Sequence, residues 1–322
     1  MNKTNWIFIA VALVVAGLII FAVVMSVLGW DFTKLSTSKF ETNTHEITEN
    51  FDSISVDAST ADIRFLPSDD GGCRVVCYEM EKVRHEVSIK DGVLTVKEVD
   101  TRAWYEHIGI NFSSQTVTVY LPISEYGELL IRASTGYVEI QKDFSFRKID
   151  VSLSTGDVNA AASCTDSIKI RTTTGSITVG DVSANALDLS ASTGSITLKG
   201  ASVTGDIKAT TSTGSTRISN TECKTLTATA STGSIYLSGT IASISFNLEA
   251  GTGSICFDAS DAAEIYAKTG TGSVYGTLLS DKDFETRTAT GAVDVPNNTE
   301  GGICDIETGT GDIRISIVAS PQ

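Results

Sequence analysis

Hydrophobic residues in the C-terminal two thirds of the chain recur at fixed offsets around a repeated Thr-Gly step. With that glycine at position zero, apolar side chains occupy positions −7, −5, +2 and +4 in most copies. A spacing of two residues predicts β-strands that bury one face, because a helix would repeat every three or four residues. The inward positions are odd before the glycine and even after it, so one extra residue must be absorbed at this step. Glycine suits such a bend because it tolerates backbone conformations that other residues avoid.

The Thr-Gly step occurs ten times at intervals of 19 or 20 residues. Such a period indicates one structural unit stacked on copies of itself. Each unit reads as a strand, a corner, a second strand and a small polar return turn. The prediction is an all-β fold, a single-stranded β-solenoid (β-helix) whose coils stack about 4.8 Å apart. The ten glycines expected at the structural corners are Gly136, Gly156, Gly175, Gly194, Gly214, Gly233, Gly253, Gly272, Gly291 and Gly311.

The threonine before each corner glycine has two interpretations. It would bind a repetitive surface, such as ice or crystalline glycan, if the threonines formed an array. Alternatively, stacked threonines simply satisfy one another at a tight corner, as β-branched residues do in sheets. We favour the structural interpretation, because a flat ice-binding face requires a Thr-x-Thr pair in each coil and only coils such as Thr227–Thr229 approach that pattern.

The N-terminal segment 1–30 is predicted to be a transmembrane anchor. Trp6–Trp30 contains no charge and is bracketed by Lys3 and Asp31. About 20 apolar residues span a bilayer, and aromatic residues at both ends fit its interfaces. A cleaved signal peptide is the rival interpretation, but its apolar region is normally about 7–15 residues long. The charges flanking the segment barely decide its orientation. We place the C-terminal body outside the cell membrane because a Ser/Thr/Gly-rich acidic solenoid is typical of cell-surface proteins.

The rest of the chain divides into three regions. Residues 31–50 are expected to form a polar stalk, 51–126 divergent coils and a cap, and 127–322 the regular solenoid. Apolar residues between Ile54 and Phe65 fall at the repeat offsets, with Ala61 at the glycine position, so this segment predicts a degenerate first coil. Terminal units of solenoids are usually atypical because they shield the end of the core. A separate N-terminal domain is the alternative.

Three sequence features resemble the DUF4097 group of adhesin-like proteins. They are FDSISVDASTADIRFLP at 51–67, VTVYLP at 117–122, and the repeated Ser-Thr-Gly followed by Asp or Ser and a β-branched residue. The resemblance extends over residues 51–318. It implies a membrane-anchored β-solenoid of bacterial envelopes, and it supplies no catalytic residues to transfer.

The chain is acidic, with a formal net charge of −15, and removing Lys3 leaves −16 for the part beyond the apolar segment. Such a surface argues against binding to nucleic acid or to anionic lipid headgroups. It is compatible with cationic partners or divalent metals.

The six cysteines do not predict a disulfide framework. Cys73 and Cys77 are four residues apart on one predicted strand, or roughly 13 Å, which is beyond the reach of a disulfide. Cys164 and Cys223 lie three coils apart, roughly 14 Å by the stacking distance. Cys304 falls at a core offset. Because no second pair of ligands follows Cys73 and Cys77, a zinc site is not predicted either.

Catalytic chemistry finds no support in the sequence. The three histidines all precede the regular repeats, and the motif serines recur in every coil, whereas a nucleophile should be singular. We therefore predict no catalytic residue, no cofactor-binding residue, no metal ligand and no enzymatic activity.

The predicted function is a non-catalytic binding, adhesin-like or scaffolding module of the cell envelope. Its expected partners are a cell-wall polymer or another envelope protein. The expected contact face consists of outward positions of the second strand, namely Thr178, Thr197, Tyr236 and Tyr275. One alternative is a self-assembling structural protein, whose strand Ile313–Ile317 would leave an open edge. The other is an accessory component of an envelope-stress response system.

Overall fold

The computed structural model describes residues 3–31, 38–107, 113–297 and 300–318. It begins with one helix, α1 (Lys3–Val27). Within α1, the uncharged stretch Asn5–Val27 is long and apolar enough to span a membrane, and its side chains are exposed with the exception of the buried Met25. A signal sequence near the N-terminus would have the same character.

Most of the remaining described chain is β-strand, with one 3-10 turn at Trp104–His107. The alternating burial within each strand follows the alternation of apolar and polar residues. In chain order the strands are β1 (Phe40–Ile47), β2 (Ser53–Thr60), β3 (Asp62–Pro67), β4 (Cys73–Met80), β5 (Val83–Lys90), β6 (Val93–Asp100), β7 (Thr116–Leu121), β8 (Glu125–Thr135), β9 (Val138–Ile140), β10 (Ser145–Thr155), β11 (Val158–Ala160), β12 (Ser163–Thr174), β13 (Ile177–Gly180), β14 (Ser183–Ala184), β15 (Ala186–Thr193), β16 (Ile196–Lys199), β17 (Ser202–Val203), β18 (Asp206–Thr213), β19 (Thr216–Ser219), β20 (Glu222–Thr232), β21 (Ile235–Ser238), β22 (Ile241–Thr252), β23 (Ile255–Thr271), β24 (Val274–Leu278), β25 (Lys282–Thr290), β26 (Val293–Asp294), β27 (Gly302–Thr310) and β28 (Ile313–Ile317).

The regular strands stack in parallel and in register, which confirms the predicted β-solenoid. We call the sheet formed by the strands before each glycine the first face, and the sheet formed by the strands after it the second face. On the first face, for example, β10 pairs with β8 and β12 so that like residues lie above like. On the second face, β11 pairs with β9 and β13 in the same way. The apolar residues at the four inward offsets fill one continuous core between the faces.

The Thr-Gly steps are the corners of the solenoid. All ten corner glycines have φ between +138° and +155°, a region that is essentially restricted to glycine. Each corner also stacks closely on the next. For instance, the Gly194 amide donates a hydrogen bond to the Thr213 carbonyl at 2.9 Å. A Cβ atom at Gly194 would overlap the carbonyl oxygen of Gly175 in the neighbouring coil. Glycine is therefore required here both by conformation and by space.

The N-terminal cap, defined as β1 and β4–β7, is built mainly from antiparallel pairs. β4 pairs antiparallel with β1, β5 and β7, and β5 pairs antiparallel with β6. Residues 40–47 form β1, which pairs with β4 over eight residues. The prediction of a polar stalk is therefore wrong for these residues, because every second side chain of β1 is partly covered by the cap.

The order of coils at both ends differs from their order in the chain. At the N-terminal end, the coil β2–β3 lies between the strands β6 and β7 on one side and the coil β8–β9 on the other. At the opposite end, the coil β27–β28 lies between β23–β24 and β25–β26. The expectation of an open edge at Ile313–Ile317 is therefore wrong for Ile313 and Arg314, which are paired on both sides. The outermost coil is β25–β26, whose inward residues Phe284, Thr286 and Val295 are only partly buried.

Candidate functional site

The four residues predicted as a contact face lie in one column on the second face. Parallel pairing places each of them directly above or below its neighbour in the next coil, so the column repeats at the strand spacing of about 4.8 Å. We call this set the tyrosine column; it runs through Thr178, Thr197, Arg217, Tyr236, Cys256, Tyr275 and Arg314.

Side chains of the tyrosine column contact one another along the rod. The Arg217 guanidinium lies over the Tyr236 ring, 4.9 Å from its centroid. Tyr275 is the register partner of Cys256 in the next coil, and burial raises the pKa of the Cys256 thiol. Arg314 is held by Asp312 at 2.7 Å. The column is therefore a rigid, partly exposed row of aromatic and guanidinium groups, which can stack on flat faces of a ligand and donate hydrogen bonds to it.

The first face carries its charges differently. Oppositely charged side chains of neighbouring coils pair across this face, as in Arg132–Asp150 at 2.9 Å and Arg171–Asp188 at 2.9 Å. The same pattern recurs at the outermost coil, β25–β26, where Arg287 contacts Asp305 of the neighbouring coil at 2.8 Å. Because these guanidinium groups already have carboxylate partners, they are less available to a ligand than Arg217 or the tyrosine rings.

A second constellation, which the sequence did not predict, lies inside the N-terminal cap. Cys77 and Glu79 occupy inward positions of β4, and His85 occupies an inward position of β5, across a tight turn. All three side chains are buried, and one ligand-type atom from each lies within 4.8 Å of the others. Burial, together with the nearby Glu79 carboxylate, raises the pKa of the Cys77 thiol to about 12. Among the described residues, these three are the group that could hold a metal ion.

Glu79 and His85 form the centre of this constellation. The Oε2 atom of Glu79 accepts a hydrogen bond from the His85 backbone amide at 2.6 Å. The same oxygen lies 2.7 Å from Nδ1 of the His85 ring. The other oxygen, Oε1, accepts a hydrogen bond from Asn43 Nδ2 at 2.8 Å. His85 Nε2 is buried without a hydrogen-bond partner and faces Glu98 Oε2 at 3.9 Å. The Glu98 carboxylate itself accepts a hydrogen bond from the Ser59 amide at 2.9 Å.

A cleft of about 640 Å³ opens beside the constellation and is lined in part by His45, Glu79 and His85. The Nε2 atom of His45 is also buried without a hydrogen-bond partner. The third histidine, His107, lies in the exposed 3-10 turn and takes no part. All six cysteines are unpaired.

The sequence and the fold both match known proteins. The family model described as Toastrack DUF4097 matches residues 51–243. A putative lipid binding protein from Parabacteroides distasonis ATCC 8503 has a similar structure, with a TM-score of 0.51 and 16% identity over 76% of this chain and 98% of that one. A putative adhesin from Parabacteroides merdae ATCC 43184 has a TM-score of 0.50 and 12% identity over 87% and 97% of the two chains. At these identities the structures establish the fold alone. No curated protein matches the chain.

Proposed function

Because the chain belongs to the Toastrack DUF4097 family, we propose that it is a non-catalytic, adhesin-like binding rod of the bacterial cell envelope. In this proposal α1 anchors the protein in the membrane as a single pass, and the solenoid extends outside the cell. The description of one similar structure, from Parabacteroides merdae, as a putative adhesin supports this role.

The observation that carries the proposal is the tyrosine column. A ligand that extends along the rod, such as a cell-wall glycan, would meet planar ring or guanidinium groups at Arg217, Tyr236, Tyr275 and Arg314. The rings of Tyr236 and Tyr275 offer flat apolar faces with a polar tip, and Arg217 offers planar donors. Because the backbone of each coil that carries the column is fixed by parallel pairing on both sides, the column loses little conformational freedom when a ligand binds.

Replacement of one ring provides the test. We expect Tyr275→Ala in the full chain, purified in detergent, to weaken binding to insoluble cell-wall material about tenfold, which corresponds to about 1.4 kcal/mol of lost stacking. Tyr266→Ala is the matched control, because Tyr266 is 39% exposed and Tyr275 is 40% exposed, but Tyr266 lies on the first face. Binding would be measured by co-sedimentation over a range of protein concentrations. Equal losses in the two variants, or no loss in Tyr275→Ala, would contradict the proposal.

A further inference from the structure

The buried constellation in the cap has the donor atoms of a transition-metal site. Cys77 offers a thiolate, Glu79 a carboxylate and His85 an imidazole nitrogen, all within 4.8 Å of one another. Thiolate, imidazole and carboxylate together suit a borderline-soft ion such as Zn²⁺, whereas Ca²⁺ and Mg²⁺ prefer oxygen alone. We propose that Cys77, Glu79 and His85 bind a zinc-type divalent cation inside the N-terminal cap.

The unpartnered nitrogen of His85 supports this assignment. In a neutral ring that donates its Nδ1 proton to Glu79, the lone pair of Nε2 points at the Glu98 carboxylate, so two acceptors face each other at 3.9 Å. A cation bound at Nδ1 moves the ring proton to Nε2, which then presents an N–H rather than a lone pair to the Glu98 carboxylate. A carboxylate that holds the second ring nitrogen is the usual arrangement around metal-bound histidines.

The balance of charge points in the same direction. Two carboxylates, Glu79 and Glu98, flank a single imidazole in a region where all three side chains are at most 8% exposed. Buried charges require partners of opposite sign. The cationic side chains that line the adjacent cleft already have carboxylate partners, since Arg84 pairs with Glu41 at 2.6 Å and Lys82 pairs with Glu106.

The thiol accounts for the remaining ligand. Cys77 lies two residues before Glu79 on β4, and both side chains are buried on the inward side of that strand. On binding, the S–H bond breaks, the proton leaves to solvent and a bond between sulfur and the metal forms, as at other cysteine sites. The cleft beside Glu79 and His85 gives the ion and the departing proton a path.

Cobalt titration of the full chain in detergent tests the site. We expect metal-free protein to bind one Co²⁺ per chain with the charge-transfer absorption of a cobalt–thiolate bond, and Zn²⁺ to displace it. Cys77→Ala should lose that absorption and bind Co²⁺ more than 100-fold more weakly, beyond the range typical of outer-shell changes. Cys73→Ala is the control, because Cys73 is a buried inward residue of the same strand that is not part of the constellation.

Two further variants separate ligand loss from misfolding. His85→Gln should abolish tight binding, whereas Asn43→Ala, which removes only the hydrogen bond to Glu79, should weaken binding about tenfold. If wild-type protein shows no cobalt–thiolate absorption, or if Cys73→Ala loses it as Cys77→Ala does, the proposal is overturned. In that case the three side chains form a buried hydrogen-bonded cluster that binds no metal. A wild-type protein without this absorption overturns the proposal even where a variant fails to fold.

Discussion

At the scale of single residues, the corner glycines are the positions where sequence and structure agree most directly. Their number and spacing could be predicted because the change of strand parity requires one residue with unusual backbone freedom in every coil. The packing reason could not be read from the sequence, since it depends on how closely neighbouring corners approach. The carbonyl oxygen of each corner occupies the space that a Cβ would need in the coil stacked on it.

Gly194→Ala should therefore destabilise the solenoid by about 2–4 kcal/mol, the combined effect of strained backbone and overlap with the Gly175 carbonyl. Gly180→Ala is the matched control, because no atom lies within 4 Å of a Cβ at Gly180 and its φ is not in the positive region. We expect that change to be neutral or stabilising by up to about 1 kcal/mol. Urea denaturation followed by circular dichroism would measure both. Equal stability of the two variants would show that the corners tolerate side chains.

The candidate sites were only partly predictable at this scale. The repeat offsets correctly placed Tyr236 and Tyr275 on the outside of one face. The predicted contact face included only threonine and tyrosine residues, so it omitted Arg217, Cys256 and Arg314 of the same column. The cap constellation of Cys77, Glu79 and His85 was not predicted, because the sequence has no second cysteine pair near Cys73 and Cys77 and so lacks the usual spacing of zinc ligands. His85 reaches Glu79 only through the β4–β5 hairpin, and that turn lies outside the repeat pattern.

At the scale of elements, the coil was predictable and the order of the coils was not. Every coil presents the same offsets to its neighbours, so the pattern alone allows Gly291 or Gly311 to stack on Gly272. The inward side chains of the two coils, β25–β26 and β27–β28, distinguish these two orders. The coil β25–β26 has Thr286 at an inward position, whereas β27–β28 supplies Cys304, Ile306 and other apolar side chains. A coil with a polar inward residue is better placed at the end of a solenoid, where the core meets water.

Deleting residues 300–318 removes the coil β27–β28 and should therefore leave a second coil, β25–β26, without a strand partner. We expect residues 282–297 to become sensitive to protease, because β25 and β26 pair only with β27 and β28 among the described strands. The coils up to Leu278 should stay protected. Limited proteolysis with mass spectrometry would map the cleavage sites. Continued protection of residues 282–297 would mean that β25–β26 can pair directly with β23–β24, and that the observed order is not required.

At the scale of the whole molecule, the two ends of the rod are unlike. One is covered by the antiparallel cap, whereas the other leaves Val293 46% exposed beside the half-buried Phe284 and Val295. An uncovered parallel edge can pair with another chain. Two features oppose this. The part beyond α1 carries a net charge of −16, and Lys282 of the outermost coil points inward to Asp261 at 2.7 Å.

We expect end-to-end association to depend on salt, because the repulsion between two acidic rods extends only about 3 Å at 1 M ionic strength but about 30 Å at 0.01 M. Sedimentation of the full chain in detergent should show monomers at low salt and concentration-dependent dimers at high salt. Val293→Asp should abolish the dimers. Ile303→Asp should leave them intact, since Ile303 is similarly exposed at 44% but lies on β27, which is paired on both edges. Dimers that form equally well in Val293→Asp would place the contact elsewhere.

The exchanged order of the last two coils also governs biosynthesis. A ribosome delivers β25–β26 before β27–β28, yet the later coil lies between the earlier one and the rest of the rod. The outermost coil therefore emerges before the strands with which it pairs in the structure have been made. A chain interrupted before residue 302 lacks these strands and leaves the pairing edge of β25–β26 open, and unpaired strands are prone to aggregation and proteolysis. Closure of this end of the described solenoid is therefore tied to the synthesis of residues 302–317.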